Sequence, residues 1–69
     1  MSIYVFKTSL CAEDIYRIDR VLRSIIPGCL WTYDLEDCDN ILRIKSTENI
    51  VEPVCLHLKK RGIYCEELE

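Results

Sequence analysis

Glycine and proline are scarce in this chain, at two residues each in 69, and histidine, tryptophan, phenylalanine and methionine occur once each. Gly28 and Gly62 alone leave no glycine-rich loop to cradle a phosphate, and the single His57 leaves no nucleophile, base and orienting group to assemble. Both absences point away from an enzyme. Acidic residues outnumber basic ones, giving a formal net charge of −3 and a pI near 5.1. Nucleic-acid binding needs a basic face that releases counterions from phosphates, so no nucleic-acid partner is expected. No apolar run approaches membrane-spanning length, and no charged stretch followed by a long apolar run stands near residue 1. The expectation is a cytoplasmic protein without membrane insertion. Cysteine is the exception to this scarcity, with five residues. In a secreted chain they would suggest a disulfide scaffold; without a signal the thiols are expected to be reduced.

What the chain does have is an ordinary globular balance, 49% apolar and 30% charged. At this length only about 60% of the unfolded surface can be buried, so residues 1–69 form one domain in which nearly every apolar side chain serves a core or an interface. Ile3 to Thr8 reads as a strand, apolar on both faces, with Tyr4 and Phe6 on one and Ile3 and Val5 on the other. From about Ala12 to Ile26 the apolar spacing becomes helical through Ile15, Ile18, Leu22 and Ile25, until Pro27-Gly28 stops it. Leu30 to Leu35 alternates with Trp31, Tyr33 and Leu35 on one face. A polar turn, Glu36-Asp37-Cys38-Asp39-Asn40, leads into Ile41 to Lys45, and together these make a hairpin.

Asn49 and Glu52 are spaced for a capping box, and Val51, Val54, Cys55 and Leu58 give a second helix its apolar stripe. Pro53 falls near its start, where it would occupy about the fourth helical position, or the first if the helix begins later. Lys59-Lys60-Arg61 before Gly62 suits the carbonyl end of that helix. Ile63 to Leu68 supplies a last strand. The order βαββαβ predicts an α+β, ferredoxin-like arrangement: a four-stranded antiparallel sheet with two helices on one face and the other face free. In that topology Cys11 and Cys38 belong to one end, with Gly62 and Cys65 close by, and Cys29 belongs to the opposite end.

Thr8-Ser9-Leu10-Cys11-Ala12-Glu13-Asp14, Pro27-Gly28-Cys29 and Arg61-Gly62-Ile63-Tyr64-Cys65-Glu66, spaced as they are, resemble the heavy-metal-associated, copper-chaperone-like domain family over essentially the whole chain. Its loop runs Gly-Met-Thr-Cys-x-x-Cys, and its first helix usually ends in Pro-Gly-Val. The resemblance implies a fold of the type just read and a loop in which two thiolates carry a soft ion such as Cu(I). Here the second thiol is Asp14, Ser9-Leu10 replaces Met-Thr, and Trp31, Tyr33 and Leu35 fall between the positions that the family makes apolar.

A carboxylate is a hard ligand, so Cys11 with Asp14 should hold Cu(I) much less well than two thiolates. Cys38 or Cys65 would restore a second thiol, Asp14, Asp37 or Asp39 would suit a mixed zinc site, and two molecules would restore a pair by each donating Cys11. Against this, Cys11 is a small residue at a helix start and Asp14 a first-turn acid, three before Arg17, in a place where negative charge is favourable. Cys29, Cys55 and Cys65 read as small buried hydrophobes, and His57 as a surface residue.

The expected function is therefore a non-enzymatic protein-interaction or regulatory module that has lost the two-thiol site. It would dock a protein partner, or dimerise, through the free sheet face, by Ile3 and Val5 if Tyr4 and Phe6 face the core, the opposite assignment exchanging the two pairs. The alternative is a Cu(I)- or zinc-binding protein using Cys11 with Cys38, Cys65 or Asp14. Small-molecule binding between paired subunits ranks third, and no motif supports it.

Overall fold

A computed structural model describes residues 1–36 and 40–68. The chain runs through β1 (Ser2–Thr8), a 3₁₀ turn (Ala12–Asp14), α1 (Ile15–Ile25), β2 (Leu30–Asp34), β3 (Ile41–Ser46), α2 (Val51–Lys60) and β4 (Cys65–Leu68). The strands form one antiparallel sheet in the order β2-β3-β1-β4, which is the α+β, ferredoxin-like arrangement expected. Phe6, Leu42 and Ile44 project from the two central strands into one cluster with Ile18 and Leu22 of α1 and Val54 and Leu58 of α2, all fully buried. Each such side chain contributes about 1.5–3 kcal/mol by leaving water, so both helices are held to the same face.

The turns explain where the element ends depart from the sequence pattern. The first turn of the expected helix winds as 3₁₀, with the Asp14 N–H donating to the Cys11 carbonyl at 2.9 Å. Pro27 and Gly28 occupy the middle of a β-turn closed by Cys29 N–H to the Ile26 carbonyl (3.2 Å), and Gly28 has φ of 86°, which suits a residue without a Cβ. At the end of α2, Gly62 N–H reaches the Lys59 carbonyl and Ile63 N–H the Leu58 carbonyl, each at 3.0 Å, with Gly62 at φ 77°. This is a Schellman closure, and it commits Ile63 to the helix cap and the core; β4 therefore begins at Cys65 rather than Ile63.

The start of α2 also differs from the capping box read for Asn49 and Glu52. Ile50 is the N-cap, and Asn49 Oδ1 accepts from the Val51 N–H at 2.9 Å. Pro53 becomes the third helical residue, within the first turn, where its missing N–H sacrifices no intrahelical bond.

The edge strand β2 is fixed by a polar contact as well as by packing. Trp31 and Tyr33 lie opposite Ile44 and Leu42 and turn toward the helices. There the Trp31 indole N–H and the Tyr33 hydroxyl both donate to Asp19 Oδ1 of α1, at 2.8 and 3.2 Å, while Arg23 donates to Oδ2 at 2.8 Å. Burial, then the neighbouring Asp19 charge and the bond to it, push the Tyr33 phenol well above its usual range.

Asp19→Ala strands two partly buried donors, so urea unfolding should show a loss of about 2 kcal/mol, with the Trp31 emission shifted to the red. Tyr33 is more acidic unfolded than folded, so its contribution is full below its ordinary value near 10 and falls as pH rises through the folded value. The part of the stability gap between wild type and Asp19→Ala that comes from the Tyr33 bond should therefore narrow as pH rises above about 10.

Candidate functional site

The neighbours of Cys11 in its loop are anchored on three sides. Leu10 is fully buried beneath it, and the Leu10 N–H donates to Thr8 Oγ1 at 3.1 Å. The Thr8 hydroxyl in turn donates to the Asn40 carbonyl at 2.6 Å. Ser9 and Tyr64 exchange two bonds, Ser9 N–H to the Tyr64 carbonyl at 3.1 Å and Tyr64 N–H to Ser9 Oγ at 2.8 Å. These ties join the loops after β1 and α2 and leave Cys11 exposed at the end of the sheet.

Asp14 faces back onto Cys11. One carboxylate oxygen, Oδ2, accepts from both the Cys11 N–H and the Cys11 thiol at 3.1 Å, and Oδ1 accepts from Arg17 at 3.2 Å. The backbone bond is the acidic arm of a capping box. The Cys11 thiol bond, then the Cys11 N–H and the Arg17 charge, hold the Asp14 carboxyl below its usual range. Chemically, the arrangement keeps a proton between sulfur and carboxylate, and any ion taken up there must displace it.

Of the other metal-ligand candidates, Cys38, Asp37 and Asp39 lie outside the described residues. Cys65 is 2% exposed and faces Cys55, with the sulfurs 3.4 Å apart, instead of Cys11. Cys29 is half-buried against the core. Among the described residues no three His, Cys, Asp or Glu side chains gather into a group able to hold a metal.

The second candidate surface is the sheet face away from the helices. Tyr4 and Phe6 turn to the core, and Ile3 and Val5 to this open face. The pairing sets Leu30, Lys45 and Ile3 abreast in one row, with Thr32, Arg43, Val5 and Leu68 in the next. Ile3 is 62% and Leu30 71% exposed. They flank Lys45 over a shallow groove of about 270 Å³ that also involves Thr32 and Arg43. Asp34 sits beyond, 3.8 Å from Arg43. Leu30, Arg43 and Lys45 were missing from the residues expected here, although the parity of β2 and β3 carries the signal.

Among the described residues no helix is long and apolar enough to cross a membrane. Comparison with protein-family models, with curated proteins and with solved structures finds no match to this chain.

A carboxyl NMR titration should find Asp14 ionising below its ordinary value near 3.9. Because the folded value is depressed, its stabilisation is present above the ordinary value and lost as pH falls through the folded one. Asp14→Asn should therefore cost less than about 1 kcal/mol at neutral pH, the group being near the surface, and nothing in acid.

Proposed function

We propose that this chain is a non-enzymatic protein-interaction module that docks a protein surface through its free sheet face. The observation that carries it is the pair of large aliphatic side chains, Ile3 and Leu30, standing exposed on either side of Lys45. Contiguous apolar surface on a small domain commonly marks an interface. Arg43 and Lys45 lie between the aliphatic groups in a chain whose net charge is −3. The matching surface therefore combines apolar groups with carboxylates, and a second copy of the chain, with its own Ile3, Leu30 and Asp34, supplies both kinds.

Ile3→Glu with Leu30→Glu changes exposed positions and should leave stability within about 1 kcal/mol of wild type. Sedimentation velocity across a concentration series should show association by wild type that this variant loses, or the wild type should capture a protein that the variant does not and rebind it once that protein is purified. A wild-type chain that stays monomeric and captures nothing beyond what the variant captures contradicts the proposal.

One contact favours a second role, a weak metal site at Cys11 and Asp14, because the thiol and carboxylate already meet at 3.1 Å. The pair joins a soft to a hard donor, which suits neither Cu(I) nor a hard cation well. Titrating the reduced protein should give weak Cu(I) or zinc binding that Cys11→Ser removes, whereas Asp14→Cys should bind Cu(I) at least tenfold more tightly. Stoichiometric tight Cu(I) binding by wild type, lost in Cys11→Ser, would make metal binding the primary function.

A further inference from the structure

Cys55 and Cys65 come together although neither belongs to the Cys11 loop or the free sheet face. Cys55 lies on the inward flank of α2, between Val54 and the exposed Leu56, and Cys65 is the first residue of β4. Their sulfurs are 3.4 Å apart, the only contact between two cysteines among the described residues. Both sides of the contact are fixed independently. On the α2 side, the Schellman closure at Gly62 and Ile63 sets where the chain leaves the helix. On the β4 side, Cys65 is paired with Thr8, and its neighbour Tyr64 exchanges two bonds with Ser9. Bringing the sulfurs to covalent distance, about 2.05 Å, requires a movement of roughly 1.4 Å, within reach of side-chain rotation and small backbone adjustment.

We propose that Cys55 and Cys65 form a reversible intramolecular disulfide, a modification site served by low-molecular-weight disulfides such as oxidised glutathione. Cys55 is half-buried and Cys65 nearly inaccessible, which assigns their order. The Cys55 thiolate attacks one sulfur of the external disulfide, forming a mixed disulfide and releasing one thiol. Cys65 then loses its proton and attacks Cys55 Sγ, and the second external thiol leaves. Two protein thiols are oxidised, one external disulfide is reduced, and the two protons pass to the released thiolates. Burial, the largest cause, pushes the Cys65 thiol well above the usual range and persists in the mixed disulfide, so closure accelerates with pH. The product closes a short ring through the end of α2 and the start of β4, tying the helix to the edge strand.

The reduced protein is incubated with oxidised glutathione, its remaining thiols are blocked, and it is digested with trypsin. Lys59, Lys60 and Arg61 separate the two cysteines, so the link joins distinct peptides, residues 46–59 and 62–69. The expected product is a monomer that carries this link, Cys55 and Cys65 taking up no blocking group. Its Tm should rise on the order of 10 °C, and dithiothreitol should reverse the change. A chain carrying Cys11→Ser, Cys29→Ser and Cys38→Ser together should form the same link, whereas Cys55→Ser, at the less buried position, should form none and show no rise in Tm. A glutathione adduct on Cys55 that never resolves, or links that form only through other cysteines, overturn the proposal.

Discussion

Phe6, Leu42 and Ile44 are the side chains on which both helices rest, and burying them decides which way every strand faces. A strand alternates its side chains, so committing Phe6 and Tyr4 to the helices sends Ile3 and Val5 the other way. The same parity on the hairpin sends Trp31 and Tyr33 inward and leaves Leu30, Arg43 and Lys45 outward. Two helices cover one face of a four-stranded sheet, and no element among the described residues covers the other. The exposed aliphatic groups there result from the same periodicity that builds the core.

The polar contacts are placed by that core. Asp19 lies one position beyond Ile18, which is fully buried, and so reaches the flank of α1 that overlooks β2, where two aromatic donors meet it. Cys11 stands directly above the buried Leu10, and its capping partner is Asp14, the residue occupying the second-thiol position of the resembled loop. Helix initiation alone is sufficient reason for an acid at that position. The same geometry leaves a thiol and a carboxylate side by side.

The periodic parts of the fold were legible because they depend on spacing. Ile15, Ile18, Leu22 and Ile25 mark α1, and the alternation from Leu30 marks β2 and sets Trp31, Tyr33 and Leu35 on one face, but which face turns inward comes only from the packing. Asp37, Cys38 and Asp39 of the polar turn lie outside the described residues. What the pattern did not carry were contacts between side chains far apart in sequence. Asp19 stands one helical turn before Arg23, a spacing that suits a local ion pair, and nothing local announces Trp31 and Tyr33. Cys55 and Cys65 each read as a small hydrophobe, since their proximity depends on the packing of α2 over β4. The capping box at Asn49 failed for a related reason: Ile50 is drawn into the core at 6% exposure and becomes the N-cap, leaving Asn49 to bond Val51 instead of pairing with Glu52.

The central claim is that the face opposite the helices is the one that meets another protein. Methyl NMR of the labelled chain tests it directly, recorded across a dilution series and in complex with any purified protein it binds. The predicted result is shifting and broadening confined to Ile3, Val5, Leu30 and Leu68. Changes centred instead on Leu56 of α2 and Val21 of α1, with the sheet-face methyls unmoved, would contradict it.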